Sequence, residues 1–315
     1  MKNDLIDRRQ AVLGPNVPTF YEEPVHLIKG EGVWVWDKDG QRYLDCYNNV
    51  PHVGHCHPHV VEAISVQAQK LNTHTRYLHE GIVDYGERLT AKFQTELNQI
   101  IMVCSGSEAN DIALRMAQAA TGKTGIIATD NTYHGNTMAV SQLSSRKPPI
   151  GGYAANVRHV PAPDTLRPIG GDYKSQANAF AKEIQTAIID LETSGYGFSG
   201  FLFCPTFANE GLPDLPKNFM APAAQIIKAA GGILISDEVQ PGFGRTGDNW
   251  WGHEWLKLSP DVVTLGKPMA NGHPVAAVVA KETIMADFRN AFGYFNTFGG
   301  NPVSCAAAAA RASTR

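Results

Sequence analysis

The 315-residue sequence predicts an α/β fold: a mainly parallel central sheet with helices on both faces, preceded by an N-terminal hairpin segment. Three observations predict it. Short apolar runs alternate with longer amphipathic stretches through most of the chain. Two of the runs end in chemistry-bearing residues, Asp237-Glu238 and Lys267, as strands do where open α/β sheets bind ligands. A chain of this length with 43% hydrophobic residues can bury a large core.

The elements follow in order. Residues 1–59 form an N-terminal segment in which Val33-Trp34-Val35-Trp36 and Gln41-Arg42-Tyr43-Leu44 alternate around Asp39-Gly40, a hairpin signal. Residues 60–315 are expected to be one large domain. Helical patterns run from Val60 to Leu71, Ile82 to Phe93, Glu108 to Ala120, Ala177 to Leu191 and Ala221 to Ala230. Between them Ile100–Cys104, Gly125–Thr129, Ile233–Ile235 and Asp261–Leu265 read as buried strands. The Pro- and Gly-rich stretch from Ser144 to Ser175 is the candidate long loop.

Three strand ends carry chemistry. Ser105-Gly106-Ser107 is a tight turn between a strand and a helix, where free backbone N–H groups and the helix dipole favour phosphate. Glu108 is then a first-turn residue favoured by the same dipole. Asp237 leaves its strand at the carboxyl end, and Lys267 is held between Gly266 and Pro268. Tyr133, in Thr132-Tyr133-His134-Gly135, offers an aromatic face. Singly, each has an ordinary reading: a strand-end aspartate caps a turn, and a lysine is a solvated surface group. Together they supply an amine to carry an aldehyde as a Schiff base, a carboxylate against a ring nitrogen and donors for a phosphate. That combination suits pyridoxal 5'-phosphate (PLP).

The same residues lie within strings that resemble a known family. Ser105-Gly106-Ser107-Glu108-Ala109-Asn110-Asp111, Tyr133-His134-Gly135, Asp237-Glu238-Val239-Gln240, Gly242-Phe243-Gly244-Arg245-Thr246-Gly247, Gly266-Lys267-Pro268 and Thr297-Phe298-Gly299-Gly300-Asn301-Pro302 occur in the order seen in class III aminotransferases. These are PLP enzymes of fold-type I, and the resemblance runs from about residue 20 to 305. It implies Lys267 as the Schiff-base lysine and Asp237 as the partner of the pyridinium nitrogen. It also implies phosphate contacts from Ser105, Gly106 and Ser107, ring stacking by Tyr133 or His134, and Gln240 near the phenolic oxygen. Thr297 would reach the phosphate of the partner subunit's cofactor, which makes the functional unit a homodimer. Tyr21, Asn49, Arg76, Tyr77 and His79 are the substrate-pocket candidates by resemblance. The implied activity moves an amino group from an amine or omega-amino acid to a keto acid or aldehyde. Leu71 to Glu80 also resembles a subgroup of PLP-dependent phospho-lyases acting on amino-alcohol phosphates.

Two departures qualify the resemblance. Cys204 stands before Pro205 where many relatives have glutamate, which weakens any transfer of their substrate preference. After Asn301-Pro302 the family continues into a C-terminal small domain, whereas this sequence reads as truncated or frame-shifted there, with an inactive PLP-fold dimer as the alternative.

Other chemistries fare worse. His52, His55, Cys56, His57 and His59 cluster, but their alternate spacing points neighbours apart, so the run reads as a helix entry and no metal is expected. Gly195 to Gly200 matches G-x-G-x-x-G but follows a helix and precedes a strand, the reverse of a dinucleotide site. In Gly122-Lys123-Thr124 the first glycine of a P-loop is replaced by Ala117. A net charge of −3 gives no reason to expect nucleic acid or anionic membrane, and no stretch approaches the ~20 apolar residues of a membrane span. The polar start and five scattered cysteines suit a cytoplasmic protein.

Overall fold

The computed structural model describes residues 2–313. Helix α1 (Lys2–Leu13) precedes a three-stranded antiparallel sheet of β1 (Leu27–Glu31), β2 (Trp34–Asp37) and β3 (Arg42–Leu44). The Asp37 carboxylate holds the β2–β3 turn by accepting from the Asp39 and Gln41 N–H groups. The central part follows as α2 (Pro58–Lys70), α3 (Glu80–Thr90), β4 (Leu97–Val103), α4 (Gly106–Thr121), β5 (Gly125–Thr129) and the short α5 (Met138–Ser141). Then come β6 (Val157–Val160), α6 (Gln176–Thr193), β7 (Phe198–Phe203), α7 (Ala221–Ala229), β8 (Ile233–Asp237) and the single turn α8 (Gly252–Trp255). Last are β9 (Val262–Leu265), β10 (Ala276–Lys281), α9 (Glu282–Ala291) and α10 (Pro302–Ser313).

Seven strands form one sheet in the order β4-β10-β9-β8-β7-β5-β6. All neighbours are parallel except β10, which runs antiparallel to both β4 and β9. Two reversals cancel, so β4 points the same way as β9. The carboxyl ends of β4, β5, β7, β8 and β9 therefore meet along one edge of the sheet.

Period-2 alternation assigns side chains to two faces. Ala276, Val278 and Ala280 of β10 join Ile126, Ala128, Leu202 and Ile235 under α4 and α9. Ala277 and Val279 face the opposite way, with Val263 and Leu265, against α2, α3 and α10. That second face continues into Phe201 and Phe203 packed on Phe180 of α6 and on Phe207 and Phe219. Phe201 is fully buried, and its truncation to alanine would cost about 3–5 kcal/mol.

One expectation needs correction. The stretch from Ser144 to Ser175 is not a plain loop, because it contains β6, whose four residues pair with β5. The terminal alanines form α10, whose Cys305, Ala307, Ala308, Ala309 and Ala310 pack into the core. Small side chains let α10 approach closely, a consequence that composition alone does not reveal.

Candidate active site

The five aligned strand ends enclose a cavity of about 180 Å³ lined by Gly106, Ser107, Tyr133, His134, Gly135, Cys204, Asn209, Asp237, Val239, Gln240 and Lys267. Each strand contributes through the residues just beyond it.

Beyond β4, the chain turns directly into α4. Ser105 is the N-cap: its Oγ accepts from Glu108 N at 3.3 Å, while Glu108 Oε2 accepts from Cys104 N at 2.7 Å and Ser105 N at 3.2 Å. This reciprocal cap engages the Ser105 hydroxyl, and Ser105 does not line the cavity. The N–H groups of Gly106 and Ser107 have no intrahelical acceptor and lie at the positive end of a 16-residue helix. A Cβ on Gly135, at φ +139°, would meet Ser107 Oγ at 2.6 Å and Ser107 Cα at 2.8 Å. Glycine there opens a cradle beside the helix start, suited to a phosphate.

Beyond β8, Asp237 is 5% exposed. Its Oδ1 accepts from Val239 N at 2.9 Å, and its Oδ2 accepts from Asn110 Nδ2 at 2.9 Å and lies 2.7 Å from His134 Nδ1. Thr264 Oγ1 donates to Asn110 Oδ1 at 2.6 Å, which fixes the carboxamide so that its nitrogen faces Asp237. A carboxylate only accepts, so His134 Nδ1 carries a proton toward Asp237, and Nε2 faces Thr132 Oγ1 at 2.9 Å.

This network separates Tyr133 from His134. The His134 imidazole is buried and held edge-on to Asp237, whereas Tyr133 is 48% exposed at the cavity wall. Of the two, Tyr133 is the ring available for stacking.

Beyond β9, Lys267 opens a short 3₁₀ turn, and its Nζ donates to Gln240 Oε1 at 3.0 Å. Glu238, next to Asp237, faces away: it is fully buried and accepts from Gly252 N at 2.7 Å, His253 N at 2.8 Å and Ser236 Oγ at 3.2 Å. Beyond β7, burial and the nearby Asp237 charge push the Cys204 thiol up to about 12, so it stays neutral. Cys104 is likewise raised, by burial and then by Glu108.

The substrate candidates lie elsewhere in this chain. Tyr21 packs edge-on to Phe20, and the Asn49 carbonyl accepts from Arg245. Arg76 lies over the Phe295 ring at 3.9 Å and lines a separate groove. Tyr77 stacks on His74, and His79 is the N-cap of α3. Thr297 is exposed and does not line the cavity. His55 is paired with Asp45 at 2.6 Å, and His52 lies between Phe243 O and Arg245.

No motif in the sequence gives a role to Asn110, Thr132, Thr264 or Asn209. Only Asn110 left a signal, a polar residue in phase with the buried stripe Ala113, Leu114 and Ala117 of α4.

A lysine amine, a hydrogen-bonded buried carboxylate and a helix-start cradle surround one cavity, a donor set that fits PLP. The chain belongs to the class-III aminotransferase family, whose model matches residues 19–314. Over 98% of its length it is 38% identical to an alanine–glyoxylate aminotransferase 2-like protein of Drosophila melanogaster, of which it covers 64%. It is 33% identical over 97% of its length to ethanolamine-phosphate phospho-lyase homolog 1 of Caenorhabditis elegans, covering 69% of that protein. A solved phospholyase from Arthrobacter, in complex with phosphoethanolamine, is 44% identical with a TM-score of 0.93, over 98% of this chain and 73% of that one. The chain thus spans about two thirds of the length of these curated relatives.

Proposed function

We propose that the protein is a PLP-dependent aminotransferase that moves an amino group from an amine or omega-amino acid donor to a keto acid or aldehyde acceptor. The observation that carries this reading is Lys267 and Asp237 lining one cavity with the first turn of α4 at its side. When bound, PLP supplies an electrophilic aldehyde and a ring that withdraws electrons from the substrate carbon. Gly106 and Ser107 would hold its phosphate, Tyr133 would cover a ring face, and Asp237 would hold the ring-nitrogen proton.

The chain's residues account for the proton handling. Lys267 Nζ sits in the cavity within reach of Gln240, so it can take a proton from the substrate carbon and return it elsewhere. Asp237 keeps its orientation through Asn110, His134 and Val239. The neutral Cys204 adds no competing charge to the wall. We place Thr297 against the phosphate of a partner subunit, in a homodimer, and the protein in the cytoplasm. The exposed position of Thr297 outside its own cavity supports the first of these.

A second reading, phospho-lyase action on an amino-alcohol phosphate, is favoured by the 44% identity to the Arthrobacter phospholyase. Both readings need the same proton removal, so one assay separates them. A panel of amine donors is offered with pyruvate, glyoxylate or 2-oxoglutarate, and phosphoethanolamine is offered alone. Amino acid formation from the keto acid supports the aminotransferase. Inorganic phosphate released without any keto acid, and no amino transfer, would establish the phospho-lyase instead.

A further inference from the structure

We infer that the hydrogen bond between Glu108 and Asn296 couples cofactor loading between the two sites of the homodimer, so that filling one site favours filling the other. This rests on the reading above, in which Thr297 serves the partner's phosphate.

One carboxylate holds two structures that serve different sites. Glu108 Oε2 gathers the Cys104 and Ser105 N–H groups and so shapes the turn that presents Gly106 and Ser107 to this subunit's phosphate. Glu108 Oε1 accepts from Asn296 Nδ2 at 3.1 Å. The other end of that carboxamide closes the turn around Thr297, because Asn296 Oδ1 accepts from Phe298 N at 3.0 Å and Gly299 N at 2.7 Å. The same turn lies flush on the end of β4: a Cβ at Gly299 would meet Met102 O at 2.4 Å and Val103 Cα at 2.8 Å. The Asn296 link to Glu108 ties the turn to the helix start.

A phosphate at Gly106 and Ser107 orders the first turn of α4, which includes Glu108. An ordered Glu108 holds Asn296, and the Thr297 turn is then arranged before the partner's cofactor arrives. The entropy of ordering that turn falls on the first binding event and is spared at the second, which gives positive cooperativity with little change of shape. By linkage the coupling runs equally in both directions.

The test is a titration of PLP into the apoprotein, followed by tryptophan fluorescence, with molar mass measured by light scattering. The wild-type dimer should load with a Hill coefficient above one. Asn296→Asp keeps an oxygen for Phe298 N and Gly299 N but cannot donate to Glu108. It should load non-cooperatively, with affinity reduced roughly threefold to tenfold, while remaining dimeric. Adding Glu108→Gln restores a bond of reversed direction, Gln to Asp, and should restore cooperativity. That rescue separates coupling from general damage to the turn. A dimeric wild type that loads non-cooperatively, or an Asn296→Asp dimer as cooperative as wild type, overturns the inference. A monomer that loads PLP removes the shared-site reading and the coupling with it.

Discussion

His134 Nδ1 lies 2.7 Å from Asp237 Oδ2, and both side chains are withdrawn from solvent. With Asn110 Nδ2 on the same oxygen and Val239 N on the other, three donors converge on one buried carboxylate. The three donors fix the orientation of that carboxylate beside the position assigned to the ring nitrogen.

Asp237→Asn should therefore fold and retain cofactor but lose turnover by roughly 10²–10⁴-fold, because an amide cannot hold the ring proton electrostatically. His134→Phe removes one donor of similar volume, and a smaller loss of about fivefold to tenfold is expected. Steady-state kinetics with cofactor content measured in parallel checks both. A fully active Asp237→Asn enzyme would show that Asp237 is a turn residue, and Glu238 could not inherit the role without abandoning Gly252 and His253.

Lys267→Ala should lower turnover by roughly 10²–10⁴-fold by removing the proton carrier. Thr297→Ala should weaken cofactor retention. If Thr297 serves the neighbouring subunit, mixing the two impaired variants yields heterodimers with one site that has both wild-type groups. Recovered activity after verified subunit exchange is the expected outcome, and its absence would place Thr297 outside the partner's site.

Gly135→Ala tests the cradle. Its Cβ would clash with Ser107 at 2.6–2.8 Å in a backbone conformation that side chains avoid. A stability loss of about 1–3 kcal/mol and weaker PLP binding should appear together in thermal melts and cofactor titration. Unchanged PLP affinity would mean that the phosphate does not rest against this turn.

Acid stability should depend on His52. Burial, together with the charges of Arg311 and Arg245, lowers its pKa from 6.5 to about 4. The unfolded chain therefore takes up a proton that the folded one resists, and stability present above pH 6.5 falls as pH drops toward 4. His52→Gln should flatten that part of the melting-temperature profile. A variant with the wild-type acid slope would assign the loss to other groups.

Several features of the site are fixed by local sequence. Lys267 at a strand end, Asp237 after an apolar run and Ser105-Gly106-Ser107 between strand and helix are each decided by a few neighbours, so a strand–turn–helix pattern suffices to find them. The hairpin around Asp39-Gly40 and the five central helices were legible for the same reason, to within a few residues at their ends. The tertiary structure decided which distant groups meet. Thr264 and Asn110 are 154 residues apart, and only the order of strands in the sheet brings that hydroxyl to that carboxamide. The same order put His134 beside Asp237 and left Tyr133 as the exposed ring at the cavity wall. β6 escaped notice because four residues among prolines and glycines carry too little periodicity, and it is a strand through pairing with β5. Chain neighbours fix backbone preference, whereas hydrogen-bond partners across the sheet exist only once the sheet has formed.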